Sequence, residues 1–174
     1  MAEIEWKGII WKAAYGDLPI KDLLTILKGH GPLEVLRFRK PGAFWGELSV
    51  SLTPQGTKEI TIYHLEVEGP KRCGQGRRAL LCLKTIFRGE VFVEDPGRVI
   101  RVANADRASL PFWIKMHLEG IIDALESEHV SLSHDSPREK VERLLREMTQ
   151  KPTVGQGDVK NAGEGKSQTA ERSR

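Results

Sequence analysis

Three extended runs separated by turn residues place the strongest constraint on the fold. The runs are "LEVLRFRK" (33–40), "AFWGELSVSLT" (43–53) and "KEITIYHLEV" (58–67). Each run is followed by a turn that contains glycine and proline: Pro41-Gly42, Pro54-Gln55-Gly56 and Gly69-Pro70. Short strands joined by such turns favour antiparallel pairing of neighbours. The segment 33–67 therefore predicts an antiparallel meander.

Helical patterns lie on both sides of this meander. Residues 16–32 predict a helix that is capped by Asp17. Its apolar residues recur at helical spacing: Ile20, Leu23, Leu24 and Leu27. After the meander, residues 76–87 predict a second helix and residues 98–103 predict a short strand.

Two further elements complete the sheet and define the fold class. Residues 106–118 predict a helix if Pro111 lies in its first turn, because proline inside a helix breaks it. Residues 120–125 predict a last strand. Scattered aromatic residues predict lining of the core or of a substrate cleft: Trp6, Trp11, Phe44 and Trp45. The order of elements predicts a mixed α/β (α+β) domain with a mostly antiparallel central sheet flanked by helices.

The C-terminal part divides into a helix and a tail. In residues 136–148, Ser136 and Glu139 match a capping box at a helix start. An apolar stripe follows at helical spacing: Val141, Leu144, Leu145 and Met148. Residues 151–174 are rich in Gly, Lys, Ser and Thr, which predicts a disordered basic tail. We therefore expect one domain over residues 1–150.

The overall composition argues against several classes of protein. The net charge of +3 permits an anionic ligand but is weaker than the dense basic stripe typical of nucleic-acid binding. Cys73 and Cys82 form no zinc-binding pattern, which favours reduced thiols. No apolar run approaches the roughly 18 residues of a membrane-spanning helix, and the short acidic N-terminal segment is no signal peptide. These features predict a cytoplasmic protein with no membrane or metal partner.

The segment "KRCGQGRRALL" (71–81) follows the third run closely. A loop between a strand and a helix presents free backbone N–H groups at the helix N-terminus, where the helix dipole favours anions. Gly74 and Gly76 permit positive φ and close approach of a ligand to the backbone. Cations flank these glycines: Lys71, Arg72, Arg77 and Arg78. Two interpretations stay open, a phosphate-binding loop and an ordinary charged turn.

Together, "HLEVEGPKRCGQGRRALL" (64–81) and "VIRVANADRASLPFWIKMHL" (99–118) resemble the GNAT acetyltransferase superfamily over a core of about 60–118. The residues in register with the family are Leu65, Val67, Arg72, Ala79, Leu80 and Leu81. The family would place its glycines at Cys73, Gln75 and Arg77, whereas this chain has Gly74 and Gly76. Trp113 stands where the family has a tyrosine.

The resemblance implies a GNAT-like fold that binds acetyl-CoA or another acyl-CoA. In the family, loop amides hold the pyrophosphate, and strands that splay apart around the segment matched by Leu65 and Val67 bind the pantetheine arm. The implied cofactor-binding residues are Leu65, Val67, Lys71, Arg72, Gly74, Gln75, Gly76, Arg77, Asn104 and Trp113. The family's tyrosine often protonates the departing thiolate, and the indole of Trp113 is a poor substitute for that acid.

Acetyl transfer to an amine needs a base for the amine and an acid for the thiolate. His64, Glu66 and Glu68 alternate onto one face of the third run, and Tyr63 is expected on the other face. Glu66 and His64 are therefore candidate base residues, and Tyr63 is a candidate acid. The alternatives are a solvated strand face for the first two and simple packing for the tyrosine.

The sequence thus favours an acetyl-CoA-dependent N-acetyltransferase that acts on a small-molecule or protein amine. The alternative is a catalytically degenerate module that binds an acyl-CoA or a partner protein. Nucleic acid is a weaker expectation, although some family members acetylate charged tRNA. A homodimer is compatible with the sequence, which does not identify the acceptor.

Overall fold

An eight-stranded sheet organises the part of the chain that the computed structural model describes, residues 2–52, 54, 56, 58–88, 99–103 and 105–150. In chain order the elements are β1 (Glu3–Trp6), β2 (Ile9–Ala13), α1 (Ile20–Leu27), β3 (Leu36–Lys40), β4 (Phe44–Leu52), β5 (Lys58–Val67), α2 (Gln75–Arg88), β6 (Val99–Val102), α3 (Leu110–Leu118), β7 (Ala124–Glu126), β8 (Ser131–Leu132) and α4 (Arg138–Thr149). The strands lie side by side in the same order as along the chain.

The sheet changes from antiparallel to parallel pairing at β5. Strands β1 to β5 pair antiparallel with their neighbours, which confirms the predicted meander. Strands β5, β6 and β7 pair in parallel, and β8 returns antiparallel to β7. Parallel neighbours need a crossover connection, and α2 and α3 lie in those two connections. The mixed α/β class is therefore confirmed.

The sequence prediction missed the hairpin that opens the fold. Strands β1 and β2 pair from Glu3–Lys12 to Trp6–Ile9. Lys7 and Gly8 form the connecting turn, both with positive φ, 53° and 77°. Two such residues suit the right-handed twist of a two-residue hairpin. The chain thus begins with two strands rather than with the predicted helix.

The helices cover one face of this sheet. Along β2, β3, β4 and β5, buried residues mostly alternate with partly exposed ones. The buried set shares one hydrophobic cluster with the buried residues of α1, α2 and α3. We call the side of the sheet that carries this cluster the covered face, and the opposite side the open face. An antiparallel sheet tolerates this asymmetry because its two sets of side chains point in opposite directions.

Trp11 lies at the centre of the covered face and is fully buried. Its ring lies 6.1 Å from Trp6, 5.7 Å from Phe38 and 5.9 Å from Phe87, measured between ring centroids. Its indole N–H donates to the carbonyl oxygen of Trp6 at 3.1 Å. Trp11 therefore joins the N-terminal hairpin to β3 and to the end of α2, and its polar atom is satisfied.

Both predicted helix caps were wrong. α1 begins at Ile20 after Pro19, with no side-chain cap, and Ile20 is 51% exposed rather than inward. α4 begins at Arg138, also without a side-chain cap, because the hydroxyl of Ser136 accepts the N–H of Ser133. A serine that bonds a neighbouring backbone group in a turn is not free to cap the helix that follows.

Two predictions for the C-terminal half, on Pro111 and on the apolar stripe of α4, were confirmed. Pro111 lies in the first turn of α3. The stripe of Val141, Leu144, Leu145 and Met148 packs against the core, beside α3. The predicted last strand is shorter and later than residues 120–125, and β8 was not predicted. The predicted tail, 151–174, lies outside the described residues.

Candidate functional site

The pairing between the parallel strands β5 and β6 ends in the middle of β5. Their pairing runs from Glu59–Val99 to Ile62–Val102, and the N–H of Ala103 donates to the carbonyl of Ile62 at 2.9 Å. β5 continues to Val67, still paired with β4. Among the residues that the structure describes, no strand pairs with the other edge of this second half. Within the described residues, the carboxyl half of β5 therefore has one unpaired edge, and we call the space beside it the gap.

A β-bulge at Tyr63 lies where the gap begins. Glu47 pairs with His64, but the next residue of β4 pairs with Ile62, so Tyr63 is an extra residue on β5. An extra residue reverses the alternation of the side chains that follow. Leu65 therefore continues the covered face of Ile62 and packs against the core.

The bulge also changes the expected position of Tyr63. Its hydroxyl shares a hydrogen bond of 3.1 Å with the hydroxyl of Ser49. Ser49 alternates with Glu47 on the open face of β4. Tyr63 was expected on the face opposite His64, and this expectation was wrong, since both side chains lie on the open face.

The edge of β5 that borders the gap carries backbone groups of Leu65 and Val67. The N–H of Glu68 donates to Ala43, in the turn before β4, at 2.9 Å. Because peptide groups alternate in direction along a strand, the groups of Leu65 and Val67 point the other way, into the gap. These are the two residues that the resemblance assigned to the pantetheine arm.

The loop after β5 ends in the N-terminus of α2. Arg72 and Gly74 have positive φ values of 68° and 73°, and α2 begins at Gln75. The first turn of this 14-residue helix holds no acidic side chain. Its free N–H groups and dipole therefore favour an anion.

The two loop glycines have different roles. Gly74 supplies the positive φ, and space around it is open. Gly76 lies inside α2, and a Cβ there would lie 2.8 Å from the Cζ atom of Phe112 in α3. The expectation of positive φ at Gly76 was therefore wrong, because its small size serves the contact between α2 and α3.

The cations of the loop are exposed, and one of them is anchored. Lys71, Arg72, Arg77 and Arg78 all reach solvent. Arg77 donates from Nε to the Oε2 atom of Glu119 at 2.7 Å, which ties α2 to the end of α3. The Arg78 N–H donates to the Gly74 carbonyl at 3.1 Å, as expected for the first helical turn.

Two predicted cofactor residues lie away from this surface or beyond what is described. Trp113 is 6% exposed, contacts Phe112 at 4.9 Å between ring centroids and belongs to the core. Little of its ring can meet a ligand, so its cofactor role stays a prediction. Asn104 lies outside the described residues.

The open face carries two rows of side chains across the first five strands. According to the strand register, the first row consists of Glu3, Lys12, Arg37, Glu47 and His64. The second row consists of Glu5, Ile10, Arg39, Trp45 and Glu66. The two candidate base residues thus end two continuous rows, a juxtaposition that depends on pairing between distant parts of the chain.

Trp45 connects these rows through its ring. The ring of His64 lies 4.6 Å from that of Trp45, and the guanidinium of Arg37 lies 5.7 Å from it. Arg37 also donates to Glu47 at 2.7 Å. The Nε2 atom of His64 lies 3.5 Å from the Oε2 atom of Glu66, so the two candidate base residues are adjacent.

A groove of about 430 Å³ lies beside Trp45 on this face. Its lining combines cations, carboxylates and two apolar surfaces: Glu3, Ile10, Lys12, Arg37, Arg39, Trp45 and Glu68. Of these lining residues, the sequence placed only Glu68 on the same face as His64 and Glu66, left Trp45 between core and cleft, and left Arg37 and Arg39 between anion steering and a hairpin rim. The missing signal was the register that brings β2, β3 and β4 together.

Glu68 holds the turn before β4 to the end of β5. Arg39 donates from Nε to its Oε1 atom at 2.9 Å, and the Gly42 N–H donates to Oε2 at 2.8 Å. These two hydrogen bonds, that of Arg39 first, lower the pKa of Glu68 below its ordinary value of 4.5. The carboxylate is therefore ionised in the folded protein at neutral pH.

Comparison with known proteins yields no match to this chain, whether with family models, with curated proteins or with solved structures. None of the described helices has the length and apolarity needed to cross a bilayer.

The effect of Gly76→Ala on stability should change sign with the size of the side chain at residue 112. Alanine gains up to about 1 kcal/mol of helix propensity over glycine, but overpacking against Phe112 costs about 1–3 kcal/mol. We expect Gly76→Ala to destabilise the parent protein. In the Phe112→Leu variant, we expect the same replacement to be stabilising. Urea unfolding of the two single variants and the double variant measures this coupling, and additive effects would contradict the proposed contact.

Removal of the Glu68 carboxylate should produce a pH-dependent loss of stability. A lowered folded pKa contributes stability above the unfolded value, and this contribution is lost as pH falls below 4.5. We expect Glu68→Gln to be less stable than the parent protein at neutral pH, by an amount that shrinks below pH 4.5. Urea unfolding across this range, with Glu34→Gln as the control, measures it. A pH-independent difference would contradict the assignment.

Proposed function

We propose that the protein is an acetyl-CoA-dependent N-acetyltransferase that acetylates a primary amine of a small molecule or protein. The observation that carries this proposal is the gap beside the second half of β5, the half that leads through residues 68–74 into the N-terminus of α2. An acyl-CoA has an anionic end and a long, narrow arm, which match a helix N-terminus followed by a gap between strands. The strand and helix order supports the GNAT-like interpretation.

Residues around the α2 N-terminus would hold the cofactor. The N–H groups of the first turn and the exposed side chains of Lys71, Arg72 and Arg78 suit a pyrophosphate. Acetyl-CoA supplies the acetyl group as a thioester. The N–H groups of Leu65 and Val67, at the gap, are placed to donate to a carbonyl oxygen and to stabilise negative charge on it.

His64 and Glu66 supply the base on the open face. His64 can accept the proton of an incoming ammonium group, and the Oε2 atom of Glu66 lies 3.5 Å from its Nε2 atom. Contact with the ring of Trp45 restrains His64. Tyr63 is the proposed acid. It is half-buried and directly follows Ile62, where the pairing of β5 with β6 ends.

The second candidate is a non-catalytic module that binds an acyl-CoA. It is favoured by the burial of Trp113 at the position where the resemblance places a catalytic tyrosine. For either candidate we propose the cytoplasm, a reducing compartment that suits the free thiols of Cys73 and Cys82. Binding of acetyl-CoA with no release of the CoA thiol in the presence of any amine would favour this second candidate.

Arg78→Glu should weaken CoA binding without harming the fold. The carboxylate repels the pyrophosphate, whereas an acidic side chain near a helix N-terminus stabilises the helix. We expect about tenfold weaker binding by calorimetry, equivalent to about 1.4 kcal/mol. Lys140→Glu, an exposed lysine on α4 with the same charge change, is the matched control.

The parent protein provides the decisive measurement for the cofactor. At roughly 100 times its Kd, CoA should raise the free energy of unfolding by about 2.7 kcal/mol. Absence of both heat and thermal shift at millimolar acetyl-CoA would refute the proposed function.

Replacement of the base residues should lower the rate of thiol release. We expect His64→Ala and Glu66→Gln each to reduce kcat by about 10²- to 10⁴-fold at neutral pH, the usual contribution of a general base. Glu5→Gln changes a carboxylate at the far end of the second row and serves as the control. Unchanged turnover in both test variants would exclude this base assignment.

A further inference from the structure

The groove and the candidate base lie on the same face of the sheet. α2 packs on the covered face, where Phe87 contacts Trp11. An acyl group that enters the gap from the α2 N-terminus therefore points toward the open face. His64 and Glu66 are exposed there, at the β5 end of the two rows whose other members supply most of the groove lining. This step rests on the proposed function.

Charge is distributed unequally along the two rows. The β5 end carries Glu66 and His64, whereas the cations Lys12, Arg37 and Arg39 lie two or three strands away on β2 and β3. Beyond them, Glu3 and Glu5 of β1 end the rows. A carboxylate at the β5 end attracts an ammonium group, and the cations attract an anion. The groove is therefore complementary to a molecule with a positive and a negative end.

The cations differ in their availability to a ligand. Arg37 is paired with Glu47, and Arg39 is paired with Glu68, so both guanidinium groups are held in place. Each retains N–H donors beyond those used in its pair. Lys12, half-buried in the groove, forms no ion pair with any residue that the structure describes. Lys12 is thus the clearest anion ligand of the groove.

The strand spacing sets the length of the complementary molecule. Neighbouring strands lie about 4.8 Å apart, so β3 and β2 lie roughly 10 and 14 Å from β5. An extended peptide advances about 3.3 Å per residue, and three or four residues span this interval. Trp45 on β4 provides apolar surface between the charged ends, and Ile10 adds apolar surface beside Lys12 on β2.

We propose that the acceptor is the N-terminus of a short acidic peptide segment that lies across the strands, with its amine at Glu66 and His64. A carboxylate or phosphate at its third or fourth residue contacts Lys12 and Arg39. A polyanion such as nucleic acid is disfavoured because Glu3, Glu47 and Glu66 lie in the same rows. The groove thus selects a single anion rather than a run of them.

The test compares binding of two C-terminally amidated tripeptides, Gly-Ala-Glu and Gly-Ala-Gln, to the full chain by calorimetry, with and without CoA. We expect the glutamate peptide to bind about tenfold more tightly, because it adds a charge-assisted hydrogen bond. The preference disappears in Lys12→Glu. It persists in Lys21→Glu, in which an exposed lysine of α1 is replaced. A phosphoserine peptide in a third arm distinguishes phosphate from carboxylate as the preferred anion.

Equal affinity for the glutamate and glutamine peptides overturns the proposal. A glutamate preference that survives in Lys12→Glu overturns it as well. These measurements distinguish failure of the acceptor assignment from failure of the acetyltransferase function. If CoA binds and the peptides are not distinguished, the acceptor assignment falls alone. If CoA does not bind and the Lys12-dependent preference remains, the acetyltransferase function falls alone.

Discussion

Burial of one face of the sheet is the constraint on which the rest of the structure depends. Trp11 and Phe38 on neighbouring strands, with Phe87 of α2, make that face apolar and fully buried. A slip of one residue in any strand would move its apolar set to water. The register is therefore strongly determined, and the polar residues of the opposite set are brought into rows as a consequence.

The bulge at Tyr63 is where this constraint produces the candidate site. Without an extra residue, His64 and Glu66 would follow Ile60 and Ile62 onto the buried face. With it, both polar side chains reach the open face while Leu65 stays with the core. Gly46 permits this arrangement, because a side chain there would collide with the His64 carbonyl and the Phe38 ring.

Local patterns predicted the elements, and long-range contacts decided the site. β5 spans the predicted residues 58–67, since turn residues bound it at both ends. The face of Tyr63 was mispredicted because simple alternation cannot reveal a bulge, which belongs to the pairing with β4. The hairpin turn at Lys7 and Gly8 was overlooked although apolar residues alternate on both sides. The cap at Ser136 failed because a competing turn used its hydroxyl.

The offset of the loop glycines from the GNAT pattern has a structural reason that the family pattern alone could not supply. Gly74 turns the chain into α2, whereas Gly76 allows Phe112 of α3 to approach the first turn of that helix. The ion pair of Arg77 with Glu119 adds a second link between the same helices. The N-terminus of α2 is therefore held by contacts outside the loop. Preorganised N–H donors lower the entropic cost of binding an anion, so an anion site here does not require the glycine spacing of the family.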